Sequence, residues 1–300
     1  MSPFTHRSFE SVASLGEEKL IAAIRRWLGP ASPPAPHGMG DDCAVLRPSK
    51  RSQAITVDPV IYGRHFDDQV PPRAVGAKLL KRNLSDLAAM GARPTAAVIA
   101  LTLDPRVSLS WLEKFYRGLA ACARAYRVPI VGGDIAQADD IVGASLTLLG
   151  EAAGPRMLLR TGAKIGDWIY VTGKLGGSIA GHHFDFEPRL AEGAWLTAQA
   201  ETRAMIDLSD GVAKDLPALT PATAEPSITA SDVPISRDAV RLAKKSGRTP
   251  LSHALSDGED YELLFVVGKN ADRAAFETAW HRRFKIPLTC LGRFVRRGER

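Results

Sequence analysis

The sequence predicts an α+β protein of two domains, 1–152 and 153–300, and three observations carry that reading. The 300 residues are 45% hydrophobic, enough for a core in each half. In the first half, apolar segments with strand and helix spacing follow one another without strict alternation, the mark of α+β rather than α/β order. Residues 150–155 are short, rich in small side chains and follow a complete set of strands, which makes them the candidate boundary.

Residues 17–28 place Leu20, Ile21, Ile24, Trp27 and Leu28 on one helical face, with Lys19, Arg25 and Arg26 mostly off it, and Gly29-Pro30 stops the helix. A proline-rich loop, 30–37, leads to Gly38-Met39-Gly40-Asp41-Asp42 and to a short apolar segment, 43–46, expected as a strand. A turn at 48–52 joins it to a second expected strand, 54–57, closed by Asp58, so the two read as a hairpin. A long helix is expected over 71–90, with Pro72 in its first turn, Gly91 as its stop and Pro94 beyond. A strand over 95–103, a helix over 109–126, a strand over 128–131 ending in Gly132-Gly133-Asp134 and a strand over 141–150 complete the first half.

In the second half, a strand over 168–172 runs into the glycine-rich Gly173-Lys174-Leu175-Gly176-Gly177 and a helix start. Such glycines present backbone N–H groups to phosphate or simply turn the chain; the spacing is not that of a Walker loop, and Leu175 stands where a magnesium-binding hydroxyl is required. Asp207, Ser209 and Asp210 precede a helix over 212–219, either as caps or as ligands. Asp257, Glu259 and Asp260 lie in a turn before an apolar strand.

The net charge of +6 is dispersed, with its densest group at 293–300, and does not describe a nucleic-acid-binding face. Cys43, Cys122 and Cys290 are an odd number without CxxC spacing, which excludes a disulfide framework and fits a reducing cytoplasm. The first twenty residues lack a signal-peptide core, and no apolar run reaches membrane-spanning length.

Asp86 sits in the last turn of its helix, where the macrodipole disfavours an anion by roughly 0.3–1 kcal/mol. A neighbouring Lys81, Arg82 or Arg93 offsets that cost, or a metal ion does. Asp42, Asp58, Asp134, Asp207 and Asp210 share the habit of standing at element ends, and such a set suits a hard divalent cation. No His/Cys cluster, GxSxG elbow or Rossmann fingerprint competes. Mg²⁺ held by several carboxylates accompanies bound phosphates, which makes phosphoryl transfer the expected chemistry.

At these residues the chain resembles a known family. GMGDDCAVL, NLSDLAAMGARP, VGGD, RTGAKIGDWIYVTGKLGG, MIDLSDG and SDGEDYELLF, in this order from 38 to about 292, are similar to the motifs of thiamine-monophosphate kinases in the aminoimidazole-ribonucleotide-synthetase-like superfamily. The resemblance implies a two-domain α+β fold whose N-terminal sheet pairs with that of a second subunit in a β-barrel homodimer. It implies transfer of the ATP γ-phosphate onto thiamine monophosphate, with several Mg²⁺ ions and no covalent enzyme intermediate. By motif, Asp42, Thr56, Asp58, Asp86, Asp134, Asp207 and Asp210 match magnesium ligands. Gly133, Asp134, Arg160 and Ser209 match nucleotide contacts, and His65 and Glu259 match substrate contacts.

The chain departs from the family pattern at Val57, where a threonine is usual, and at Ile135-Ala136-Gln137, in place of a Thr-x-Arg run. The segment after Gly181 is shorter, and LGRFV is followed closely by Arg300 without the family's aromatic-bearing segment, which implies weaker hold on the acceptor. Two alternatives stand beside the leading one: a related phosphotransferase with another small acceptor, and a nucleotide-binding homologue with reduced activity.

Overall fold

The computed structural model describes residues 1–39 and 43–298. Asp42 lies outside the described residues. The chain divides into two compact units, Met1–Leu84 with Pro94–Glu151, and Ser85–Arg93 with Ala152 onward. Among the described residues no helix is long and apolar enough to cross a membrane.

The first unit opens with α1 (Glu17–Leu28), which buries Leu20, Ala23, Ile24 and Leu28 at helical spacing. Glu17 and Glu18 in its first turn and Arg25 and Arg26 in its last complement the macrodipole. Four strands, β1 (Gln53–Ile61), β2 (Ala92–Leu103), β3 (Ile130–Gln137) and β4 (Val142–Ala152), lie in the order β1-β4-β2-β3. The helices are α2 (Pro72–Met90), whose residues from Ser85 on count with the second unit, and α3 (Leu109–Tyr126), capped by the Ser108 hydroxyl. α2 and α3 touch through glycines: a Cβ on Gly76 would collide with the Phe115 carbonyl, and one on Gly118 with that of Arg73. That approach closes a core of Val75, Leu79, Leu112, Phe115 and Leu119, with Trp111 stacked between Phe66 and Phe115.

The sequence expectations need four corrections here. Residues 44–49 form no strand, and β1 pairs antiparallel with β4, Asp58 opposite Leu146, instead of closing a local hairpin. β1 runs on to Ile61, so Asp58 stands inside the strand rather than at its end. β2 and β3 are parallel with α3 between them, a βαβ unit within the α+β whole. β3 continues through Gly132-Gly133-Asp134 to Gln137, because Val98, Ile99 and Ala100 of β2 pair with those three residues and supply the ladder that glycine propensity alone does not.

In the second unit β5 (Trp168–Thr172), β6 (Thr202–Asp207), β7 (Ala224–Ile228), β8 (Leu263–Val267) and β9 (Leu288–Arg296) form a sheet in the order β6-β8-β5-β9-β7, antiparallel throughout. All five residues of β8 are buried. Leu264 and Val266 enter one hydrophobic cluster and Leu263, Phe265 and Val267 another, which is why this segment reads as an unbroken apolar run. The remaining helices are α4 (His182–Asp185), α5 (Leu190–Ala198), α6 (Val212–Asp215), α7 (Arg237–Ser246), α8 (Pro250–Ser256) and α9 (Arg273–Arg283).

Candidate active site

In the first unit, the apolar face of α1 stands over the sheet and leaves a cavity of about 700 Å³. Ile21, Ile24, Leu28, Val98 and Tyr116 line it, and its floor is Gly132-Gly133-Asp134-Ile135 of β3. Gly133 is there for a backbone reason: a Cβ would collide with the Ile99 carbonyl of the paired strand. Gly133 and Asp134 therefore come together at one wall. Thr56 and Asp58 share the half-buried face of β1. Arg82 directs Nη2 to Asp58 Oδ1 at 3.2 Å and Nη1 to the Pro59 carbonyl. His65 accepts the Ile61 N–H on Nδ1 at 3.1 Å, which places the proton of the neutral ring on Nε2. The buried Lys78 ammonium donates to the His65 carbonyl at 3.0 Å.

In the second unit, β6 delivers Asp207 to a turn where it is 3% exposed. Ser85 of α2, the residue before Asp86, donates its hydroxyl to Asp207 Oδ2 at 2.7 Å. The Asp210 N–H is held by the Asp215 carboxylate at 3.0 Å, and the N-cap position of α6 is Gly211, with no side-chain cap. Ser209 and Asp210 are thus not helix caps; both are exposed beside the buried Asp207. Along this turn runs 258–261: the Glu259 N–H donates to the Ser209 carbonyl and the Tyr261 N–H to the Leu208 carbonyl, both at 2.8 Å. Glu259 and Tyr261 are held at φ 53° and 51°, conformations that cost about 1–3 kcal/mol each and persist only where neighbours impose them. The structure so brings Asp207, Ser209, Asp210 and Glu259 into one loop pair. Arg160 is exposed, one residue beyond Leu159, whose carbonyl accepts from Met205 of β6.

The glycine-rich loop after β5 is not a phosphate cradle. Its N–H groups are consumed internally: Gly176 donates to Asp260 Oδ1 at 2.8 Å, Gly177 to Asp257 Oδ2 at 2.9 Å and Leu175 to the Pro234 carbonyl at 2.8 Å. Asp260 is 1% exposed and its Oδ2 has no hydrogen-bond partner among the described residues. Burial pushes its pKa from 3.8 up to about 8, with Glu262, Asp257 and Asp215 adding to the effect against the Gly176 bond. The folded state therefore keeps a proton that the unfolded chain loses. The contribution of Asp260 to stability is fully present below the ordinary carboxylate pKa and is lost as pH rises towards 8. Asp260→Asn, which keeps an acceptor for Gly176, should flatten that fall; thermal melts taken between about pH 5 and pH 9 check it.

The roles of Ser85 and Tyr116 carry no local sequence signal. The α1 face was legible as apolar, but nothing in its spacing separates a cavity wall from a core face. The candidate metal ligands are all hard oxygen donors, Thr56, Asp58 and Asp134 in the first unit and Asp86, Asp207 and Asp210 in the second. They fit Mg²⁺ in kind. Among the described residues no three acidic, His or Cys side chains converge as a cage, and Mg²⁺ takes one or two protein carboxylates with water and phosphate oxygens filling the rest.

An open sheet with a βαβ unit, an apolar cavity floored by Gly-Gly-Asp, and a separate antiparallel sheet carrying an acid turn define an AIR synthase-like protein. Residues 40–152 match the model of the AIR synthase related protein, N-terminal domain. The chain is 38% identical to the thiamine-monophosphate kinase of Rhodopirellula baltica over 271 residues, covering 87% of this chain and 84% of the relative. It is 36% identical to that of Escherichia coli K12, covering 87% and 88%. Among solved structures it is similar to thiamine-monophosphate kinase from Stenotrophomonas maltophilia K279a, with TM-score 0.75, 30% identity and 92% and 93% coverage. It is also similar to AaThiL complexed with AMPPCP and TMP, with TM-score 0.72, 29% identity and 98% and 94% coverage. The chain belongs to the thiamine-monophosphate kinase family.

Proposed function

We propose that this chain transfers the γ-phosphate of ATP to thiamine monophosphate, giving thiamine diphosphate and ADP. The observation that supports the reading is the pairing of 208–209 with 259–261, which sets Glu259, the proposed acceptor contact, beside the acid turn Asp207–Asp210. The first unit's cavity accommodates the nucleotide base against Ile21, Ile24 and Tyr116, with Gly133 and Asp134 towards the phosphates. Arg160 and Ser209 contact the phosphates, and His65 donates from Nε2 to the acceptor. Asp42, Thr56, Asp58, Asp86, Asp134, Asp207 and Asp210 hold Mg²⁺. When bound, Mg²⁺ neutralises charge that develops on phosphoryl oxygens. The acceptor phosphate is itself the nucleophile, so no protein nucleophile is needed.

We assign ATP, Mg²⁺ and dimer contacts chiefly to 1–152, with Arg160, Asp207, Ser209 and Asp210 contributed by 153–300 and one acceptor contact by each, His65 and Glu259. β1 is an edge strand that exposes Ile55 (71%), Val57 (61%) and Ile61 (41%) on one face, an apolar surface suited to a second copy in a dimeric barrel. Val57→Asp should shift the protein to monomer in sedimentation. We place the reaction in the cytoplasm, in keeping with three cysteines that form no disulfide among the described residues.

Gly133→Ala should force β2 and β3 apart at the cavity floor and raise the Kd for ATP by at least about tenfold, read by calorimetry. The function itself is tested by incubating purified protein with ATP, Mg²⁺ and thiamine monophosphate and identifying the product by mass spectrometry. Thiamine diphosphate is the expected product; ADP without it, or no turnover, contradicts the reading.

A further inference from the structure

The turn that joins α7 to α8 brings together three side chains for which the phosphoryl transfer has no use. Ser246, the last residue of α7, sets its Oγ 2.7 Å from His253 Nε2. The other ring nitrogen, Nδ1, lies 2.9 Å from both carboxylate oxygens of Asp257, one turn further along the chain. An ionised carboxylate only accepts, so Asp257 takes the Nδ1 proton, and Nε2 of the neutral ring is left to accept the Ser246 hydroxyl. Asp257 is itself held in place, by Arg248 Nη1 at 3.0 Å and the Gly177 N–H at 2.9 Å. His253 is 2% exposed, whereas Ser246 stands in solvent. A hydroxyl that merely tied one helix to the next would be served by any acceptor. Here the acceptor is a buried base whose tautomer is fixed from behind.

A hydroxyl hydrogen-bonded to a base that a third group orients is the arrangement of an activated nucleophile. The surroundings leave room for a substrate: a Cβ added to Gly247 would meet nothing within 4 Å, so the surface beside Ser246 is open. The chain turns there, with Gly247 at φ 71°, and the Arg248 N–H reaches Ser246 Oγ at 3.3 Å. Lys244 and Lys245 in the last turn of α7 offset the negative end of the helix, where an oxyanion would otherwise be disfavoured. We propose that Ser246, His253 and Asp257 form a second site on this chain, an acyl-transferring one that takes small activated carboxylic esters. Ser246 Oγ attacks the carbonyl carbon of the ester and its proton passes to His253 Nε2. The N–H after a nucleophilic serine is the usual oxyanion donor, a part that falls to Gly247. As the carbonyl re-forms, the bond to the leaving alcohol breaks and His253 returns the proton to that alcohol. Water, giving its proton to the same nitrogen, then cleaves the acyl-serine to the carboxylic acid and restores the hydroxyl. Asp257 acts through His253 and is a positioning residue.

The test uses the full chain with two probes: p-nitrophenyl acetate, whose nitrophenolate release is followed by absorbance, and an alkyl fluorophosphonate, which stops at the covalent stage and is located by peptide mass mapping. The unmutated protein should hydrolyse the ester about 10²-fold faster than Ser246→Ala and should carry the phosphonyl group on Ser246. Ser246→Ala removes only an exposed hydroxyl, so its melting curve and its reaction with ATP should match those of the unmutated protein. That separates this site from the phosphoryl-transfer site and from misfolding. His253→Gln should lose the hydrolysis to the same extent. Asp257→Asn should lower kcat with KM nearly constant, and Asp257→Glu should recover part of the rate, a pattern that lost packing would not give. Equal hydrolysis by Ser246→Ala and the unmutated protein, or a fluorophosphonate that leaves Ser246 unlabelled, overturns the proposal.

Discussion

Asp207→Asn should lower turnover by about 10³-fold or more, some 4 kcal/mol at about 1.4 kcal/mol per decade, while the protein stays folded. The argument starts from burial. A carboxylate 3% exposed at the end of β6 is costly unless its charge is used, and the Ser85 hydroxyl at 2.7 Å holds Oδ2 in one place. Asparagine keeps an oxygen for Ser85, so the fold survives, but it removes the negative charge that the proposed Mg²⁺ site would use. Calorimetric titration should show Mg²⁺ binding weakened in the variant without ATP present, and thermal melts should show little change or a slight gain. Retained turnover with retained Mg²⁺ affinity would remove Asp207 from the ligand set.

The largest stability effect is expected at Arg189, before α5. Its guanidinium donates Nε and Nη2 to Glu262 at 2.7 and 2.6 Å, and the Thr172 hydroxyl donates to the same carboxylate at 2.6 Å. Glu262 is 2% exposed. Arg189→Met leaves that charge buried with one weak donor, a loss of about 3–5 kcal/mol, or on the order of 10 °C in Tm for a unit of this size. The double change Arg189→Met with Glu262→Met should recover much of it, because the desolvation penalty leaves with the pair. The damage should also reach the site. The Glu262 carbonyl accepts the Leu208 N–H at 2.8 Å, so movement of Glu262 loosens the strand end that carries Asp207 and the backbone that carries Glu259. An unchanged melting curve for Arg189→Met would show the pair to be energetically idle.

What could be read from the sequence followed the range of the forces involved. α1 and α3 announce themselves because their apolar spacing and stop signals are local, and β5 and β8 because a strand buried on both faces needs an apolar run. The course of β3 through two glycines was hidden, since what holds it is β2, some thirty residues earlier in the chain. β1 looked like half of a hairpin because its true partner, β4, is nearly ninety residues away. The candidate site divides the same way. Acids beside strand and helix ends were visible as residue types, and they marked the turn that holds Asp207 and Asp210. Ser85 on Asp207 and His183 near Glu259 were not visible, because neither pairing follows a local period. The glycine-rich loop leaves two readings open for a physical reason: the Gly176 and Gly177 N–H groups are satisfied by Asp260 and Asp257, 84 and 80 residues further along the chain.

The most direct test of the central claim follows the phosphoryl group itself. ATP carrying heavy oxygen in its γ-phosphoryl group is incubated with Mg²⁺, thiamine monophosphate and the unmutated protein, and the products are weighed by mass spectrometry. Direct transfer predicts that the heavy oxygens arrive intact on thiamine diphosphate, and that Asp207→Asn protein yields almost none. Heavy oxygen appearing in inorganic phosphate with thiamine monophosphate unchanged would contradict the account, because the chain would then be hydrolysing ATP rather than passing its phosphate on.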